Sequence, residues 1–278
     1  SDVYKRQGLS AGIKPDNSLD MALIVSDNIA SAAGVFTTNQ VYAAPVKLCK
    51  EHLINNQAKA LIVNSGVANA CTGKEGYDSA VEMAKETAKQ LQCNSTDVLV
   101  CSTGKIGPQL PMDKIKLGIF DLCKSLSENN LDITSKAIMT TDTHPKIVTK
   151  SIFLNNQKIT ITGVAKGAGM IEPNMATMLA FIMTDAKINS FDLNKCLKDA
   201  VDVSFNRITV DGDQSTNDTV LMLANGLDDR YELNPTSNEW NDFTIALKEV
   251  CFELAMMIVH DGEGADRFIT LKVIGALN

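Results

Sequence analysis

Three short β-type runs, MALIVSD (21–27), KALIVNSG (59–66) and DVLVCSTG (97–104), alternate with stretches of helical period, and this alternation constrains the fold more than any other feature. It predicts a mixed α/β chain. Between residues 77 and 91, Tyr77, Ala80, Val81, Ala84, Ala88 and Leu91 recur at helical spacing with charged residues opposite them. A second helix is predicted from Pro111, burying Ile115, Ile119, Leu122 and Leu126. SIFLNNQKITITGVAKG predicts a hairpin about Asn155 and Asn156, because alternating β-branched residues flank a pair tolerant of positive φ. Beyond it the expected order is a strand (MLAFIMTD), a helix (LNKCLKDAVDVSF), a polar segment, a strand (VLMLAN), a helix over about 241–259 and a final strand (RFITLKVIG). SDVYKRQ, residues 1–7, shows neither period, so ordered structure is expected from Gly8.

Composition limits the chemistry. With 278 residues, 45% hydrophobic and only 5% aromatic, the core must be aliphatic. A net charge of -7 with no basic block argues against a nucleic-acid partner. No run approaches the roughly 18 to 20 apolar residues of a membrane helix, so a cytoplasmic protein is expected. Seven scattered cysteines without a CxxC pair fit neither a disulfide framework nor a zinc site, and no metal is expected. Three histidines supply little for histidine-based catalysis, so other groups must carry the reaction.

Five segments could carry chemistry, each with an ordinary structural reading beside it. CSTGKIG (101–107) lies where a strand ends, and its backbone N–H groups with the Thr103 hydroxyl could hold an oxyanion, although a Gly-rich turn also accounts for it. It is not a Walker loop. IMTTDTHPK (138–146) stacks three threonines and an aspartate before a proline, more hydrogen-bonding capacity than a turn needs, although a capped turn also accounts for it. FNRITVDGDQSTNDT (205–219) is rich in Asp and Asn but lacks the EF-hand spacing, and reads as a polar scaffold or active-site wall. HDGEGADRF (260–268) sets Glu263 between two glycines at a helix end, although a glycine C-cap with solvated charges also accounts for it. KGAGMIEPNMATMLAF (166–181) places Thr177 inside an apolar run after a Gly/Pro loop. A threonine hydroxyl can attack the preceding carbonyl, here that of the small Ala176, and hydrolysis of the ester frees a Thr α-amine. With a pKa of about 7.7 to 8.0, that amine can serve as base to its own hydroxyl. Taken alone, a strand threonine is usually structural.

STGKIG, TTDTHPK, AKGAGMIEPNMATMLAF, FNRITVDGDQSTNDT and HDGEGA, in this order, resemble the ornithine acetyltransferase family, the bifunctional ArgJ proteins of arginine biosynthesis. The resemblance covers the chain from Gly8 onward. It implies a mixed α+β architecture of central β-sheets covered by helices, like that of the DmpA-type aminopeptidases. It also implies a precursor that cuts itself between Ala176 and Thr177, with 8–176 as the α portion and 177–278 as the β portion of one intertwined catalytic unit. Thr177 would accept the acetyl group, Thr103 and Gly104 would form the oxyanion hole, and Thr140, Lys166, Thr177 and Glu263 would line the substrate pocket. The implied substrates are N-acetylornithine and glutamate, with acetyl-CoA as a further acetyl donor in many members, and the implied assembly is a heterotetramer of two α and two β chains. No cofactor is expected. SDVYKRQ departs from the family's start and family members continue past Asn278, so a C-terminally truncated fragment is expected. Two other readings share parts of this pattern: an N-terminal-nucleophile amidase or aminopeptidase, and an unprocessed amino-acid-binding protein.

Overall fold

The computed structural model describes residues 3–154, 157–172, 178–226 and 231–275. Its strands are β1 (Tyr4–Leu9), β2 (Met21–Phe36), β3 (Gln57–Val67), β4 (Val98–Lys105), β5 (Lys146–Leu154), β6 (Gln157–Lys166), β7 (Leu179–Thr184) and β8 (Thr219–Ala224). Its helices are α1 (Ala44–His52), α2 (Gly73–Leu91), α3 (Met112–Lys124), α4 (Leu131–Ala137), α5 (Ser190–Asp202) and α6 (Trp240–His260). Hydrogen bonding runs β4-β3-β2-β8-β7-β6-β5, with β1 added against β2.

β2 links two layers. Its first half pairs with β1 and β3, and after a register break between Val25 and Ala30 its second half pairs with β8. Strand residues alternate between two apolar environments. Met21, Leu23, Ala60, Ile62, Val98 and Val100 face α2 and α3, where Met83, Ile115, Ile119 and Leu122 pack. Their neighbours Ala22, Ile24, Leu61, Val63, Leu99 and Cys101 face Val164, Leu179, Phe181, Met183, Leu221 and Leu223 of the other layer. The outer side of that layer, with Ile161, Ala180, Ile182, Val220 and Met222, packs on α5 and α6. The result is helices, sheet, sheet, helices, with strands apolar on both sides because both sides are covered.

The predicted strands over the three opening runs, the hairpin flanks, β7 and β8 are all present, as are α2, α3, α5 and α6. The hairpin turn itself lies outside the described residues. Two expectations need correcting. Ordered structure begins before Gly8, because β1 starts at Tyr4: Tyr4 and Arg6 turn inward, the Tyr4 hydroxyl donating to Leu223 O at 2.8 Å, and a buried arginine hid the period of two. The expected strand RFITLKVIG does not form. Ile269 and Leu271 stand 82% and 87% exposed with no strand beside them among the described residues, and a β pattern without a pairing partner stays irregular.

Candidate active site

The parallel strands β3 and β4 end side by side, with Gly66 opposite Gly104. Gly104 has φ +129°, and a Cβ there would lie 2.3 Å from the Gly66 carbonyl carbon, so only glycine permits this approach. The two strand ends are stitched by Asn217, whose Nδ2 donates to Ala68 O at 2.6 Å and Ser102 O at 2.8 Å. Ser102 in turn donates to Asn64 Oδ1 at 2.6 Å. Thr103, between these anchors, is buried. Across from it, Lys166 closes β6 and donates from Nζ to Thr103 Oγ1 at 3.3 Å, which leaves the Thr103 proton as a donor.

Thr103, Gly104, Thr140, Lys166 and Glu263 line one cavity of about 860 Å³. The structure thus gathers five of the predicted site residues from four distant segments. Glu263 is set by its own N–H on Ala168 O at 2.7 Å, and its Oε2 occupies the space where a side chain on Gly169 would begin. Thr177 and Ala176, the predicted cleavage pair, lie outside the described residues. Their immediate successor is fixed: Met178 N donates to Asp218 Oδ1 at 3.0 Å. Asp218 is fully buried at the head of β8, and its Oδ2 has no hydrogen-bond partner among the described residues.

The family model for the ArgJ family matches residues 5–278. The chain belongs to the ArgJ family. The "Arginine biosynthesis bifunctional protein ArgJ" of Geobacter sulfurreducens is 46% identical over 273 residues, covering 98% of this chain and 70% of that protein. Ornithine acetyltransferase from Mycobacterium tuberculosis, solved with ornithine, superposes with a TM-score of 0.58 at 38% identity, over 62% of this chain and 91% of that one. The L-aminopeptidase D-Ala-esterase/amidase of Ochrobactrum anthropi, described as a variant of the Ntn hydrolase fold, has a TM-score of 0.57 over 93% of this chain at 8% identity. That likeness shows the fold alone, and it is the α+β architecture that the motifs implied.

Several residues of the cavity wall are not in the predicted set. Asp211, Asp213, Ser215, Thr216 and Asn217 line the cavity, and the segment that carries them reads from sequence as a polar wall without individual roles. Asp211 accepts from Ile171 N at 2.8 Å and from Met170 N, holding the loop that leads toward Thr177. Lys14 also lines the cavity. Buried Asp20 accepts N–H bonds from Ala11, Ile13 and Lys14 at 2.7, 2.6 and 3.1 Å and so shapes the Lys14 turn, whose Nζ donates to Leu19 O and Met139 O. A turn-rich stretch answered by an aspartate some residues later was the only signal.

Charge states follow burial. Desolvation lowers the Lys166 pKa, and the nearby Asp142 carboxylate works against that loss. Burial raises the Asp218 carboxyl well above the usual range, although Met178 N–H, the Ser215 hydroxyl and Lys166 each favour its charged form. Burial also opposes ionisation of Asp142, yet Lys166, Lys146 and the Gly167 N–H outweigh it and hold that carboxyl below its ordinary value. Among the described residues no group of three or more His, Cys, Asp or Glu side chains could hold a metal ion, and no helix is long and apolar enough to cross a membrane.

Proposed function

We propose that this chain is the acetyltransferase of arginine biosynthesis that cleaves itself between Ala176 and Thr177 and then carries an acetyl group on Thr177 from N-acetylornithine to glutamate. One observation carries the reading: Thr103 and Gly104, at paired strand ends, share a single cavity with a buried cation, Lys166, and a carboxylate, Glu263. Ornithine and glutamate both present a carboxylate and an ammonium group, so one pair of opposite charges serves both. The Thr177 hydroxyl attacks the acetyl carbonyl, its proton passes to the α-amine, and the oxyanion is held by the Thr103 and Gly104 donors. Collapse expels ornithine with that proton on its nitrogen, and the glutamate amine then attacks the ester.

Acetyl-CoA is a second acetyl donor in this reading, the two portions remain together as a heterotetramer of two α and two β chains, and the work is done in the cytoplasm. The test is mass spectrometry of the full-length protein. The fragment beginning at Thr177 gains one acetyl group with N-acetylornithine alone and loses it on addition of glutamate. Loss to water as fast as to glutamate assigns an amidase instead, and an intact chain without acetyl mass assigns a binding protein.

A further inference from the structure

A buried chain of charges, Asp142, Lys146 and Asp261, lies behind the cavity and belongs to none of the roles above. Lys146 is fully buried, with Nζ 2.8 Å from Asp142 Oδ1 and 2.5 Å from Asp261 Oδ2. Asp142 Oδ1 also accepts from Gly167 N at 2.7 Å, and its Oδ2 accepts from Thr140 N at 3.0 Å. Asp261 accepts from Thr143 N at 3.0 Å and from the Thr143 hydroxyl, and it opens the turn that carries Glu263. His144 Nδ1 approaches Asp261 at 3.5 Å from the exposed side. One ion chain therefore holds the backbone of Thr140, the residue after Lys166 and the base of the Glu263 turn.

We propose that Asp142 and Lys146 are positioning residues for acetyl transfer, and that the Asp142, Lys146, Asp261 chain fixes the place of Lys166 and tunes its charge toward the cavity, Asp142 favouring that charge and Lys146 opposing it. The inference rests on the reading of Lys166 as the contact for the substrate carboxylate. Buried charges without partners cost several kcal/mol each, and an all-apolar filling is often as stable as an ion chain, so stability alone does not account for four charges here. The charges pair off as two lysines, Lys146 and Lys166, with two aspartates, Asp142 and Asp261. The groups that act electrostatically on Lys166 are Asp142 and Lys146 from the segment before and at the start of β5, Asp218 from the head of β8, Glu263 from the turn after α6 and Lys14 from the N-terminal turn. Of these, Asp142 is the largest that favours its charge, and Lys146 the largest that opposes it after burial itself.

This arrangement makes two variants move in opposite directions. Asp142→Asn removes the anion, so Lys166 loses its proton more readily. The alkaline limb of kcat/KM moves to lower pH, and KM for glutamate rises about tenfold with a smaller change in kcat, the size expected of one charge-assisted hydrogen bond. Lys146→Met removes a like charge and leaves Asp142 to Lys166, so the limb moves to higher pH. Asp142→Glu keeps the charge and retains the parental limb. The readout uses the full-length cleaved enzyme, paired with trace labelling of Lys166 by acetic anhydride across pH, which reads its neutral fraction without catalysis. If the parent transfers no acetyl group, the transferase reading fails while the labelling still tests the ion chain. Limbs that stay put, limbs that move the same way, or a failure to recover Asp142→Asn and Lys146→Met folded give the chain a structural role only and overturn the proposal.

Discussion

Gly104 is the least replaceable residue of the cavity wall, because two independent facts require a glycine: its positive φ and the Gly66 carbonyl where a Cβ would stand. Gly104→Ala is therefore expected to spoil the oxyanion donors without touching any charge, lowering kcat by about 10² or more while KM for both substrates changes little. Steady-state kinetics on the full-length enzyme separate this from Lys166→Ala, which raises KM for N-acetylornithine and glutamate together by about tenfold. Thr177→Ala is expected to remain a single chain and Thr177→Ser to cleave, as read on a denaturing gel. Which residues could be found in advance follows from how local their task is. Thr103 and Gly104 are marked by a glycine at the end of an apolar run and Glu263 by the two glycines around it, but an ordinary turn or cap explains each locally and only the family resemblance gives them roles. The partnership of Lys146 with Asp261 spans 115 positions and leaves no local trace, since each residue by itself reads as solvated charge or a capped turn.

At the level of elements, strand pairing explains what sequence pattern could not. The second half of β2, rich in Ala, Ser and Gly, has poor strand propensity and is extended because β8 pairs with it on one edge and β3 meets its start on the other. RFITLKVIG has the better pattern and pairs with no strand among the described residues. α1 and α4, of nine and seven residues, are too short for a helical period to stand out. The strand ends depend on polar stitching. Asn217→Ala removes two donors from buried carbonyls, Ala68 O and Ser102 O, each of which then lacks a partner that it had. A destabilisation of about 2 to 4 kcal/mol is expected from urea denaturation, with loss of activity at temperatures where the protein is still folded.

For the whole molecule the proposed cut falls between elements of one continuous sheet. β6 precedes the junction and pairs with β7 after it, and β2 precedes it and pairs with β8. Two antiparallel ladders and the shared apolar core between the two layers of that sheet hold the portions together, so the cleaved fragments are expected to comigrate in size exclusion and to separate only in denaturant. Acid should loosen the same molecule. Asp142 and Asp261 titrate below their ordinary value, Asp142 against its burial through Lys166 and Lys146, and Asp261 against its burial through Lys146 and Thr143. A lowered carboxyl pKa contributes stability that is present above the unfolded value of about 3.9 and is lost as pH falls through the folded value. Asp218, raised by burial, has the opposite sign: its contribution is present below the unfolded value and fades as pH rises. Urea midpoints that fall below pH 4 in the parent, and fall less in Asp142→Asn, would bear this out.

The bond from Met178 N to Asp218 carries a consequence for timing. Asp218 reaches the junction only when β8 has docked between β7 and β2, and β2 lies almost two hundred residues earlier in the chain. Contacts between such distant segments form late. Self-cleavage that depends on this docking acts as a clock set at the end of folding: newly made protein should pass through an uncut form of native compactness, and the Thr177 terminus should appear only on molecules that have already finished assembling their sheets.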